Sequence, residues 1–179
     1  MHRRTFIDKN LMYLFSFDVN LEDAREEIGL TPTGLRVNVF SRQQESRVYN
    51  VKGAESFDGS KMVAGTISWG VDYARVREDD IADLDVRLQL ETDDRKTILV
   101  RYRGLFSIGP RGFRKLLTEK PKLGTEQQPF EAKLFVGPRF ETADPKYKWL
   151  EKYQCLVIGR SWVIDTFIRR ASYDIYAMD

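Results

Sequence analysis

A chain of 179 residues can bury one sizeable core, and its 29 basic and 27 acidic side chains, interspersed to a formal net charge of +2, offer no concentrated basic face for nucleic acid. The lone histidine, His2, and the lone cysteine, Cys155, argue against His-dependent triads, zinc sites and internal disulfides. No apolar run reaches the length of a membrane helix, and no phosphate-binding loop, Gly-x-Gly-x-x-Gly fingerprint or calcium-loop spacing occurs.

Arg3 and Arg4 suggest a twin-arginine signal, but Asp8, Lys9 and Asn10 interrupt the apolar core that such a signal needs. Residues 1–10 are therefore expected to be a flexible terminus, residues 11–179 one domain, and the protein cytoplasmic. Residues 11–19 read as a first strand, with Tyr13, Phe15 and Phe17 on one face and Leu14, Ser16 and Asp18 on the other. The acidic stretch 21–28 reads as one helical turn or a loop, and 29–34 as a turn. Residues 35–40 form a second strand with Leu35, Val37 and Val39 on one face. Residues 41–47 read as a hairpin tip and 48–54 as its return. Asp58-Gly59 marks a turn, and residues 62–69 a strand in which Gly65 signals a bend or a close backbone approach.

The clearest pattern runs from Trp69 to Gly104. From Asp83 to Glu91, polar residues alternate with Leu84, Val86, Leu88 and Leu90, a period of two that defines a strand. Asp93-Asp94-Arg95 is its hairpin tip and residues 97–102 return, giving an antiparallel meander. Beyond it, 113–119 reads as a short helix, 120–129 as a long polar loop and 130–141 as a strand. Residues 143–153 read as a loop or single helical turn carrying Tyr147 and Trp149, and 153–159, 162–168 and 172–177 as three closing strands. About ten short strands with turn signals between them point to a mostly β protein: a closed or nearly closed antiparallel barrel of the up-and-down, lipocalin-like type with about 8–10 strands and one or two helical turns. Charged residues in nearly every strand argue against an outer-membrane barrel.

An ordered set of short signatures runs through the chain: Gly29-Leu30-Thr31-Pro32-Thr33-Gly34, Phe57-Asp58-Gly59, Gly70-Val71-Asp72-Tyr73, Leu84-Asp85-Val86-Arg87, Glu91-Thr92-Asp93-Asp94, Arg103-Gly104, Pro138-Arg139-Phe140-Glu141-Thr142 and Tyr147-Lys148-Trp149-Leu150. In this set the chain resembles the bacterial and fungal family catalogued as domain of unknown function thirty-two thirty-seven, which implies a small antiparallel β-barrel of this length. The sequence departs from the family's pattern at Glu55-Ser56, where paired glycines are usual, at Tyr73, where tryptophan is common, and at Glu151, where asparagine is common. The resemblance carries no catalytic residue over.

With histidine excluded, chemistry falls to carboxylates, tyrosines, arginines and lysines. Asp72, set among Trp69, Val71 and Tyr73, is the candidate base: a poorly solvated carboxylate has a raised pKa. A turn aspartate capping backbone amides is the competing role. Arg139 and Tyr102 are the candidate oxyanion partners, with Glu141 as a further carboxylate at the barrel mouth. Trp69, Tyr73, Tyr147 and Trp149 are candidate walls for a ligand. Asp85 and Arg87 share a face, either as a lumen-side pair orienting a ligand carboxylate or phenolate or as a solvent-facing salt bridge. Cys155 reads as a buried small residue, and Ser172-Tyr173-Asp174 as ordinary strand sequence. These residues point to a cofactor-independent isomerase, cyclase or lyase working by proton transfer on a small hydrophobic or aromatic molecule. A non-catalytic ligand-binding barrel is the alternative. No cofactor, metal, nucleic acid or membrane partner is expected, and a homo-oligomer stays open.

Overall fold

The period-two runs become a single curved sheet that closes on itself. A computed structural model describes residues 11–42, 45–50, 63–108, 112–113, 130–164 and 167–178. Its strands are β1 (Leu11–Thr31), β2 (Gly34–Ser41), β3 (Arg47–Tyr49), β4 (Gly65–Val76), β5 (Ala82–Thr92), β6 (Thr97–Phe106), β7 (Phe130–Val136), β8 (Arg139–Glu141), β9 (Gln154–Ile164) and β10 (Phe167–Met178), with one 3-10 helix at Lys148–Lys152. All pairings are antiparallel, and β1 pairs with β10 from Leu11↔Met178 to Asn20↔Arg170, closing an eight-stave barrel. Ten strands make eight staves because two staves are broken. β2 and β3 both lie between β1 and β4, and β7 and β8 both pair with β6. The second break falls at Pro138, which has no N–H to give a ladder.

Several sequence expectations are corrected by this pairing. The acidic stretch 21–28 is strand, the continuation of β1 into a hairpin with β2 whose two-residue turn is Pro32-Thr33. Its polar side chains hide the strand signal, and the partner strand supplies the order that local composition does not. Ser41 ends β2 and Arg47 begins β3, and both strands pair with β1 and β4 rather than with each other, so they do not form the hairpin expected around 41–47. Tyr13 leaves the face of Phe15 and Phe17, because a bulge between Tyr13 and Phe15 reverses the alternation. The three closing strands are two: Gly159, Arg160 and Ser161 pair with β10 and β7 on both sides and do not break β9. The expected flexible terminus 1–10, the Asp58-Gly59 turn, most of the return strand 48–54, the helix 113–119 beyond Phe113 and the loop 120–129 lie outside the described residues.

Other expectations hold. The hairpin tip falls at residues 93–95, and Gly65 is a close approach: at its φ of +156° a Cβ would run into the Glu91 carbonyl. On β5 the apolar set Leu84, Val86, Leu88 and Leu90 points inward and Asp83, Asp85, Arg87, Gln89 and Glu91 outward.

The interior differs along the barrel axis. At the end that carries the β5–β6 turn and the 3-10 helix, Phe15, Phe17, Ile67, Leu90, Ile98 and Leu150 are essentially free of solvent, and Phe15 meets Phe140 edge-on at 5.6 Å. The helix plugs this end with Trp149 and Leu150. Asp94 latches it by accepting hydrogen bonds from Thr92 Oγ1 (2.6 Å), Lys146 Nζ (2.6 Å) and the Tyr147 hydroxyl (2.8 Å). These bonds hold the Asp94 carboxyl well below the usual carboxylate range, Lys146 contributing most. Toward the other end several inward residues are small, Val37, Val39, Ala74 and Ala82, and the interior between them and Tyr102 and Phe106 is left partly empty.

Candidate functional site

The empty half of the barrel is a cavity of about 130 Å³. That is close to the size of an apolar protein cavity that accepts a benzene-sized ring. The inward positions of β2, β4 and β5 form one wall, Tyr102 and Phe106 of β6 with Ala171 and Tyr173 of β10 the facing wall, and Glu22 and Arg25 add charge on β1. Gly70 keeps part of this space open: a Cβ there would strike the side chains of Leu88 and Ser41. Phe113 packs edge-on against Phe106 at 5.4 Å, and its N–H donates to Asp80 Oδ2 at 3.1 Å, which ties it across the wide end.

Asp72 belongs to this wall. On β4 it shares the inward face with Gly70, Ala74 and Val76, and it stands opposite Val39 on one side and Val86 on the other. The β4–β5 register passes from Asp72↔Val86 to Arg75↔Asp83, and between these pairs the Asp85 N–H donates to Asp72 Oδ1 at 3.1 Å. A backbone donor thus finds a side-chain acceptor in place of a ladder carbonyl. Among the described residues this is the one hydrogen bond that Asp72 receives. Burial is the main force on its titration and pushes the carboxyl from 3.8 up to about 7. The Asp85 N–H opposes that shift and the Asp85 charge adds to it.

Facing it is a pair of tyrosines that sequence reading only half found. The Tyr102 hydroxyl donates to the Tyr173 hydroxyl at 3.0 Å, the rings lying 5.7 Å apart, and Phe17 stacks on Tyr173 at 4.7 Å. Burial raises both phenols above their ordinary pKa, Tyr102 markedly, and the Asp72 charge pushes both further the same way. Both hydroxyls therefore stay protonated, and because Tyr173 accepts from Tyr102 its own proton is left to give. Tyr173 had no local signal: the alternation that turns it inward in Ser172-Tyr173-Asp174 acquires meaning only when β10 pairs with β1 and β9.

The other candidates stand elsewhere. Trp69 and Tyr73 are 43% and 40% exposed on the outside of β4, and Arg87 lies over the Tyr73 ring at 5.8 Å. Asp85 faces outward and binds Arg103 at 2.9 Å, so the lumen-side Asp85–Arg87 pair does not form. Arg139 and Glu141 project from the outer face of β8, with Phe140 between them turned into the core. Tyr147 and Trp149 are buried in the plug at the filled end, Trp149 meeting Tyr153 edge-on at 6.4 Å, and they line no mouth. Of the proposed set, the fold brings only Asp72 and Tyr102 to the cavity, and it adds Tyr173. Cys155 is buried, with its thiol pushed up to about 11, as expected of an inert cysteine. Among the described residues no cluster of His, Cys, Asp or Glu could hold a metal ion, and no helix is long and apolar enough to cross a membrane.

These features define a class: a small antiparallel β-barrel, closed at one end, with a largely aliphatic cavity and a half-buried carboxylate opposite a hydrogen-bonded tyrosine pair. The chain belongs to the family described as "Protein of unknown function (DUF3237)", whose profile matches residues 10–178. It is 28% identical over 149 residues to a UPF0311 protein of Rhodopseudomonas palustris, covering 82% of this chain and 84% of that one. The fold is similar to a crystal structure of a protein with unknown function from Clostridium acetobutylicum (TM-score 0.70, 19% identity, 95% of this chain and 99% of that one). A crystal structure from Penicillium herquei, described as that of an enzyme, shares the fold more distantly (TM-score 0.55, 14% identity, all of both chains).

Proposed function

We propose that this protein is a cofactor-independent enzyme that moves a proton on a small hydrophobic or aromatic molecule held in the barrel, an isomerase, cyclase or lyase. The observation that carries this reading is Asp72: a carboxylate set into an aliphatic wall, with its pKa raised to about 7. Such a group is ionised often enough near neutral pH to accept a proton and basic enough to take one from a weak acid. Its position is costly for stability, and that favours a catalytic reason for it over a capping one.

In this reading the ionised Asp72 removes a proton from a carbon or hydroxyl of the bound molecule. The electron pair left behind moves onto an oxygen of the ligand. The Tyr173 hydroxyl, polarised by the bond from Tyr102, donates to that oxygen as its charge grows. Asp72 then returns the proton at a second atom, so no electrons are gained or lost overall. Tyr173 takes the oxyanion role that the sequence suggested for Arg139, which faces outward. The Penicillium herquei protein supports the reading, since a barrel of this fold serves there as an enzyme. The aliphatic lining alone favours the second reading, a binding barrel without turnover.

The test begins with a thermal-shift screen of small aromatic and lipid-like compounds, followed by product analysis on each hit. Asp72→Asn keeps the shape and removes the basicity. The variant is expected to fold and to bind the hits, with turnover reduced by roughly two to four orders of magnitude. Hits that bind but are never converted would favour the binding barrel, and full activity in Asp72→Asn would remove the residue from the chemistry.

A further inference from the structure

Ser161 lines the cavity as a buried hydroxyl that the surrounding strands do not satisfy. It is 1% exposed and stands on the inward face of β9, in step with Cys155, Val157 and Gly159. Its neighbours across the ladder are Ala171 on β10 and Ala132 on β7, neither of which has a polar side chain. Among the described residues the Ser161 hydroxyl makes no hydrogen bond. Ser41, the other serine of the lining, differs, because its hydroxyl has the Gly70 carbonyl as an acceptor at 3.4 Å. A hydroxyl taken out of bulk water without a protein partner costs stability, and an alanine at the same position would not. What enters the cavity is then its hydrogen-bond partner.

The position of Ser161 relates it to the tyrosine pair. Gly159 pairs with Tyr173, and a Cβ on Gly159 would come within 3.2 Å of the Tyr173 ring, so the ring lies against this glycine. Ser161 is the next inward position on β9, about 7 Å along the strand and away from the end that the 3-10 helix plugs. The β9–β10 wall thus offers two hydroxyls in succession, Tyr173 and Ser161. Size and charge narrow the ligand further. A cavity of about 130 Å³ takes a single ring. Asp72 sets a carboxylate into the facing wall, and Arg25, the cation of the lining, is held by Glu27 at 2.9 Å, so an anionic ligand is poorly received. Resting on the reading of the lumen as the ligand site, we propose that Ser161 contacts the substrate and sets its specificity. The class it selects is an uncharged, single-ring compound with two oxygens, one bound by Tyr173 and the second by Ser161.

The experiment is calorimetric titration of the full chain and of Ser161→Ala with phenol, which has one oxygen, and with resorcinol and hydroquinone, which set two oxygens at different spacings. At least one of the two diols is expected to bind the parent chain about five-fold or more tightly than phenol does. Ser161→Ala should abolish that preference and leave phenol binding within about two-fold of the parent. The melting temperature of the unliganded variant should be unchanged or slightly higher, since no protein hydrogen bond is lost. A clear fall in melting temperature would assign the hydroxyl a structural partner and overturn the inference. Diols that bind no better than phenol, or a diol preference that survives in Ser161→Ala, would overturn it too, while ring binding itself would leave the lumen reading standing. If none of the three compounds binds, the lumen reading fails for rings of this size and the inference fails with it.

Discussion

The two ends of this barrel are built from the same strands and the same alternation, yet one is full and the other is not. At the filled end the inward positions carry Phe15, Phe17, Ile67, Leu90 and Ile98, and a 3-10 helix caps them with Leu150. At the open end several inward positions carry the smaller Val37, Val39, Ala74 and Ala82, with Gly70 widening the gap and Asp72 set into the wall. An eight-stave barrel is just wide enough for side chains to fill it, so the size of the inward residues and the presence of a plug decide whether a section is core or cavity. The contrast teaches a division of labour: one end stores the stability that lets the other hold an under-packed space and a poorly solvated carboxylate.

That division can be broken most directly by truncation. Phe15→Ala should cost about 3–5 kcal/mol, whereas Val39→Ala, which borders empty space, should cost about 1 kcal/mol. Urea titration of the two variants measures the difference, and equal losses would mean that the open end is as tightly packed as the filled one.

The titration of Asp72 sharpens the comparison next. Its folded pKa of about 7 lies above the ordinary 3.8, so the folded state holds the proton more tightly than the unfolded chain does. Stability from this group is therefore greatest below about pH 4, falls as pH rises toward 7, and levels off above that. Asp72→Asn should match the parent at pH 4 and exceed it by on the order of 3 kcal/mol at pH 8. If Asp72 were instead a capping group, the same variant would be less stable at both values, and melting curves at the two pH values decide between them.

The smallest effect is expected at the latch. Tyr147→Phe removes one of the three hydrogen bonds to Asp94, and it should lower the melting temperature slightly while ligand binding in the open end is unchanged. Because the Asp94 carboxyl is held below its usual range, the latch contributes fully above the ordinary pKa of 3.8 and is lost only as pH falls below it. A Tyr147→Phe variant that lost ligand binding would show that the two ends do not act separately.

What could be read in advance follows the range of the interaction that decides each feature. The β5 alternation, the tip at residues 93–95 and the close approach at Gly65 depend on a few neighbouring residues, and each was legible. Asp72 was legible as a carboxylate among aromatic and apolar neighbours, although Trp69 and Tyr73 turn outward and its apolar surroundings come from β2 and β5. Arg139 and Glu141 were misplaced because a charged pair beside a loop looks like a mouth, whereas the loop folds back as the plug of the filled end.

The sequence by itself determined that the chain is built of short β-strands, because side-chain alternation is a property of each strand alone; closure into a barrel rests on the pairing of β1 with β10. It also limited histidine and cysteine to one residue each, because composition needs no fold. Only the tertiary structure decided which half of the barrel is hollow, that β1 runs through an acidic stretch, and that Tyr173 meets Tyr102 across 71 positions of sequence. These depend on the register between strands distant in the chain, and a single-residue slip in that register would turn every one of those side chains to the opposite face.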